Sequence, residues 1–518
     1  SAMTITGSSA ADMISDRGGM GTGSVGALTV NAGDGDDQVK IAALTSNTDT
    51  INLEAGDDIV YVGTDYATDN LDGGAGSDWI AFTYSGVSGV TYTLNSGNAS
   101  NFENIGGTTS DDTLTGDSND NKLLGGKGAD TLYGGNGNDT LYGGIGELTS
   151  SGTTLSNDQN FTVGLYYNHY YQGAGNDILY GGAGNDTLYG QALDDTLDGG
   201  TGKDTYSGGT GSDTFVIRVG DGSTTLSEAN VIRDFEDGTD VIGLADGLQF
   251  SSLTIEQGSG DYADYTIVRY GTEYLFIVQT QTSSSGCCSN STTQAGFQAS
   301  NLTAADFMST STSAQTFTGD SANNTYVGGA GNDTFTGNGG SDVIYGHSGD
   351  DTINISNKSG SYTDVINGGS GTDTLVISYS GISNIASFAS IGYDSSTSIL
   401  TFTDSNGGTI SSQAIENFTV GGVTYSFVYD GYDSRTGAQV NTGASSDISN
   451  GENNRISHAF ISTDGTQVVL YTPSSGATNF TIPSMSAFQG SDTWLDSAMT
   501  ITGSSAADMI SDRGGWGA

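Results

Sequence analysis

The sequence predicts an all-β chain wound into parallel β-rolls, a β-solenoid, and three observations predict it. Glycine is abundant and proline almost absent, with 82 Gly against 2 Pro in 518 residues. Acidic residues recur at a step of nine. An apolar residue follows each of them by two positions. A low-complexity Gly/Asp linker would share the first feature, but nothing in a linker would hold apolar residues in register with the acidic ones.

The clearest stretch, 173–216, reads GAGNDILYGGAGNDTLYGQALDDTLDGGTGKDTYSGGTGSDTFV. Asp177, Asp186, Asp195, Asp204 and Asp213 are nine apart, followed by Leu179, Leu188, Leu197, Tyr206 and Phe215. Upstream, Asp112, Asn121, Asp130 and Asp139 keep the step with Leu114, Leu123, Leu132 and Leu141. Downstream, Asn324, Asp333, Asp342 and Asp351 keep it with Tyr326, Phe335, Ile344 and Ile353, and Asp364 and Asp373 extend the series with Ile366 and Leu375. A looser version opens the chain: Asp12, Asp37, Asp49, Asp58, Asp69 and Asp78 precede Ile14, Val39, Ile51, Val60, Leu71 and Ile80, at spacings that imply small loop insertions.

Each position has a physical role. Early glycines permit positive φ, so the chain can turn tightly with its carbonyls inward. The aspartate adds a hard anionic oxygen, the donor that suits Ca²⁺. The last three residues form one short strand whose middle side chain faces the core. Threonine commonly precedes that residue (Thr131, Thr140, Thr187, Thr196), as a pleated strand favours.

This GGxGxDxUx pattern resembles the RTX (repeats-in-toxin) calcium-binding repeats. The resemblance implies that two nonapeptides make one coil and that each Ca²⁺ lies between turns one coil apart. Carried onto this chain, it pairs Asp112 with Asp130, Asn121 with Asp139, Asp177 with Asp195, Asp195 with Asp213, Asp186 with Asp204, Asn324 with Asp342, and Asp333 with Asp351. Asp364, Asp373 and, in the looser region, Asp37, Asp58 and Asp78 complete the expected metal ligands. Asn121 and Asn324 offer neutral oxygens and are expected to bind more weakly. Gln191 and Leu193 stand where glycines belong and put the sites around Asp195 in doubt. By the same resemblance the chain looks like part of a giant, secreted bacterial cell-surface protein of surface-layer, filament or adhesin type, exported by a type I system.

The expected organisation is a degenerate roll over 1–82, a connector over 83–106, and a roll over 107–217 interrupted by an insertion at 147–171. A β-rich cap over 218–313 follows, then a roll over 314–377, a connector or cap over 378–427, and a small β domain over 428–496. Residues 1–19 recur identically at 497–515 before Met20 and Trp516 differ. This reads as a unit of 496 residues in tandem, with 497–518 beginning the next one. Cys287 and Cys288 are adjacent and cannot join distant segments; a vicinal disulfide and two free thiols are both open.

Charge and motifs exclude several classes of function. With 60 Asp+Glu against 12 Lys+Arg, the net charge of −48 repels nucleic acid and favours cations. No apolar run approaches a membrane span. The three histidines, His169, His347 and His458, begin no HExxH, and there is no GxSxG elbow, so no enzyme is expected. The expected function is a structural, calcium-dependent segment that self-associates into a filament or lattice. The alternative is an adhesin module that grips glycan or protein through the Tyr-rich insertion at 147–171 or the domain at 428–496.

Overall fold

A computed structural model describes residues 3–15, 27–40, 48–63, 66–82, 89–144, 175–279, 298–394 and 396–429, and short strands beyond. The insertion at 147–171, the cysteine pair and most of 428–518 lie outside the described residues. No α-helix occurs among the described residues; the chain is a parallel β-solenoid that forms two compact units.

The first unit comprises Ser1–Leu248 and Ser252–Asp306. Its coils place short strands alternately in two stacks, each strand pairing in parallel with strands one coil away. In one stack Leu114, Leu132, Leu179, Leu197, Phe215 and Ile242 are successive partners. In the other, Ile105, Leu123, Leu141, Leu188, Tyr206 and Ile232 do the same. All twelve are buried, so the apolar residue of each nonapeptide forms a continuous column with its counterparts. Each such side chain contributes about 1.5–3 kcal/mol by leaving water. The alternate residues face out, and there Tyr133 stacks on Tyr180 and Tyr142 on Tyr189, each pair with centroids 4.9 Å apart.

Of three segments read as connector, insertion and cap, the last two leave the parallel stacking unbroken, and the connector keeps it in one stack only: the other ends at Ala99–Ser100, on Leu71–Asp72, and restarts at Thr91–Thr93, on Thr113–Thr115. Asn104–Gly106 pairs in parallel with both Trp79–Ala81 and Lys122–Leu124, joining the loose roll to the regular one. Thr131 pairs with Ile178 and Thr140 with Thr187 across the insertion, so the coils on either side of it lie directly on one another. Past Val216, Asn230–Ile232 and Val241–Leu244 make further strands in parallel with the roll. Only then does the pattern change: Glu273–Gln279, Tyr265–Tyr270 and Leu253–Gln257 close one stack as an antiparallel meander, covering its last open edge.

The second unit comprises Gln249–Ser251 and Phe307–Ala518. It repeats the plan. Phe317, Phe335, Ile353, Leu375 and Phe418 are successive partners in one stack; Tyr326, Ile344 and Ile366 in the other. Thr409–Gln413 and Asn417–Val420, from the segment read as a connector, each add a parallel strand. Antiparallel strands Ile399–Thr403 and Ser390–Asp394 then close one stack, and Val423–Tyr429 extends the other.

Candidate metal sites in the turn ladder

Stacking the coils brings the repeat aspartates together in two files. The backbone N–H of each donates to Oδ1 of the aspartate one coil on: Asp112 to Asp130 at 2.8 Å, Asp177 to Asp195 at 2.8 Å, Asp186 to Asp204 at 2.9 Å, and Asp195 to Asp213 at 2.9 Å. Asn121 donates to Asp139, Asn324 to Asp342 and Asp333 to Asp351 in the same way. Each pair expected from the eighteen-residue spacing is therefore juxtaposed. The ladder also links residues that the spacing does not reach. Asp130 donates to Asp177 and Asp139 to Asp186 across an offset of 47 rather than 18, 29 residues more than the repeat step. Asp342 donates to Asp364 and Asp351 to Asp373 across 22. In the loose region Asp12, Asp37, Asp58 and Asp78 form one file, and Leu28, Asp49 and Asp69 another.

Four further ladder positions lie outside the repeat series read from the sequence. Asp78 donates to Glu103 and Asp373 to Glu416, both at 2.8 Å, while Asp204 donates to Asn230 and Asp213 to Asp240. The signal was present: Ile105, Phe418, Ile232 and Ile242 each follow by two. Glu and Asn at the acidic position, and the missing glycines, hid it. A second, exposed ladder runs beside the first, one residue earlier in each turn, as in Ser212 to Asp194 and Asn138 to Asp120.

One hydrogen bond occupies Oδ1, and in most turns it leaves the other carboxylate oxygen bare. Oδ2 of Asp37, Asp58, Asp78, Asp130, Asp139, Asp177, Asp186, Asp195, Asp204, Asp213, Asp351, Asp364 and Asp373 is buried with no hydrogen-bond partner. A buried anionic oxygen without a partner is costly, so it marks where a cation fits. The turn glycines make the space. A Cβ on Gly143 would stand 2.3 Å from Oδ2 of Asp177, and one on Gly190 2.3 Å from that of Asp195. The turns also stack backbone on backbone: a Cβ on Gly184, at φ +144°, would meet the Gly137 carbonyl at 1.6 Å.

Electrostatics points the same way. Burial, reinforced by the neighbouring carboxylates of the ladder, pushes Asp78 and Asp130 up to about 8 and Asp195 to about 9, against an ordinary value of 3.8; the backbone N–H bond only partly offsets it. Asp58, Asp139, Asp204, Asp213 and Asp351 rise to about 7 for the same reason. The ladder resists ionising by itself. A divalent cation between coils would supply the missing charge. No three acidic, His or Cys side chains converge among the described residues, so each ion would draw its remaining oxygens from turn carbonyls.

Five expected ligands differ. Oδ2 of Asp112 accepts the Thr108 N–H at 2.5 Å and that of Asp333 the Gly329 N–H at 3.0 Å. Asn121 and Asn324 bond within their own turns, to Asp117 and Asp320. Oδ2 of Asp342 receives a lysine ammonium. Gln191 and Leu193, the departures that put Asp195 in doubt, adopt φ of +90° and +77°. They therefore hold the turn in the glycine conformation, and the Asp195 links keep ordinary length.

A family model for the RTX calcium-binding nonapeptide repeat matches residues 45–68, 105–131, 115–147, 173–197, 192–215, 318–353 and 359–376. These are RTX calcium-binding repeats. The segments with the orphaned carboxylates and the matched segments largely coincide, and RTX repeats bind calcium. RTX β-solenoids are generally non-enzymatic and RTX proteins typically secreted. No helix of the described residues is long and apolar enough to cross a membrane. No curated protein matches the chain in sequence.

Proposed function

We propose that the chain is a structural segment of a large secreted bacterial surface protein, folding outside the cell as Ca²⁺ enters its turns. The file of buried, unpartnered Oδ2 atoms carries this reading. Without cations, a chain of net charge −48 must bring carboxylates together at every coil. With cations, the same carboxylates become the ties between coils, and binding energy becomes folding energy. Low calcium inside the cell keeps such a chain unfolded for export; external calcium folds it.

The repeated end segment supports a tandem, length-giving role. In the first copy Met3–Thr6 and Met13–Ser15 pair in parallel with the strands that follow them, at Leu28–Asn31 and Gln38–Lys40. In the second copy Thr500–Ile501 and Ile510–Asp512 pair in parallel with strands that precede them, at Val469–Leu470 and Phe480–Ile482. A segment that stacks on what comes before and on what comes after would let one unit run into the next as a single roll. Circular dichroism in EGTA should show a weakened β signal and a lower melting temperature, both regained in millimolar Ca²⁺. An unchanged spectrum and melting temperature would refute calcium-dependent folding.

A further inference from the structure

The turn shared by Asp342 and Asp364 is built differently from its neighbours. Its ladder bond is ordinary, Asp342 N–H to Asp364 Oδ1 at 2.8 Å. The half-coil from Asp351 to Asp364, however, is thirteen residues long instead of nine, and the extra length carries Lys358 inward. The Lys358 Nζ lies 2.6 Å from Asp342 Oδ2, 2.9 Å from Asp364 Oδ1 and 2.9 Å from the Gly340 carbonyl. All three side chains of this triad are fully buried. Two carboxylates from successive coils and a turn carbonyl are the donor types expected of a Ca²⁺ site, and here they surround an ammonium. The loop is held in place: Ser356 and Asn357 both donate to Asn338 Oδ1, at 3.0 and 2.8 Å. Asn357 and Gly360 turn at φ of +55° and +72°. The Tyr362 ring covers the ammonium, its centroid 5.3 Å away.

We propose that Lys358 takes the place of a calcium ion, so that this turn closes on a cation belonging to the chain. The residues there do not fit a metal while Lys358 is present: a divalent ion would stand against a buried ammonium. A lysine offers up to three N–H donors and needs no external concentration to bind. The coil at 337–366 is thus tied before calcium arrives, and can serve as the point from which the second unit's calcium-dependent coils stack. Neighbouring Asp351 and Asp373 have no such partner at Oδ2.

This inference rests on the calcium reading above, and two measurements on the full chain separate them. First, bound calcium is counted by equilibrium dialysis with elemental analysis. Lys358→Gln should bind one ion more than the parent, whereas Lys358→Arg should keep the parent count. Equal counts in all three would overturn the proposal. Second, amide hydrogen exchange is followed in EGTA, which needs no variant. The Asp342 N–H should exchange at least tenfold more slowly than the Asp333 N–H, which sits in a turn without a lysine. Equal exchange at the two would overturn it. If EGTA leaves every coil protected, the calcium reading itself fails.

Discussion

Replacing Asp195 by Asn separates the two roles that one carboxylate holds. Oδ1 accepts the Asp177 N–H at 2.8 Å, and an amide oxygen can keep that bond. Oδ2 is buried without a partner and would face the cation. In the metal-free fold Asp195 titrates at about 9 rather than 3.8, so at neutral pH folding must take up a proton that the unfolded chain has released. Over about three pH units this costs up to about 4 kcal/mol. Asn removes that cost but puts an NH₂ where no acceptor stands, which returns about 1–3 kcal/mol. Asp195→Asn should therefore be neutral or up to about 3 kcal/mol more stable than the parent in EGTA, at about 2–4 °C per kcal/mol. In millimolar Ca²⁺ the order should reverse, with a lower melting temperature and fewer ions bound, because two proposed sites, with Asp177 and with Asp213, lose a charged ligand. Melting curves by circular dichroism in both buffers make the comparison. An equal destabilisation with and without calcium would refute the reasoning and leave Asp195 a hydrogen-bonding residue only.

Acid should favour the metal-free fold. Asp130 titrates at about 8 and Asp139, Asp204 and Asp213 at about 7 when folded, against 3.8 unfolded, so their protons stabilise fully below about pH 4. That contribution declines as pH rises above about 4 and is gone once pH passes 7 to 8; melting in EGTA should fall between about pH 4 and pH 8, and saturating Ca²⁺ should flatten the profile. Gly143→Ala sets a Cβ 2.3 Å from Asp177 Oδ2 and should cost about 1–3 kcal/mol and weaken calcium binding. Gly392→Ala, which meets nothing within 4 Å, should stay within about 0.5 kcal/mol of the parent in the same denaturant titration. Excising residues 145–173 joins Gly144 to Ala174 and rebuilds Gly-Gly-Ala-Gly-Asn-Asp ending at Asp177. Because the flanking coils already stack directly, stability should change by about 1 kcal/mol or less, and the calcium count should not fall.

The amino-acid pattern alone determined the solenoid. A nine-residue step with an apolar residue in fixed phase leaves few other ways to bury Leu179, Leu188 and Leu197, and glycines at turn positions make the winding sterically open. The pairing of Asp177 with Asp195 or Asp333 with Asp351 also followed from the step, through resemblance to the RTX repeats. What the step could not carry was continuity where it is broken. Asp130 meets Asp177, and Asp78 meets Glu103, because strand pairing and column burial hold coils in register whatever length of chain lies between them in sequence. Nor could a linear pattern say which carboxylates lack a partner. Asp342 and Asp351 sit in similar turns by sequence; only folding brings Lys358, sixteen residues on from Asp342, onto one and not the other. A buried charge is decided by what surrounds it in space, and that surrounding is assembled from residues the repeat does not order.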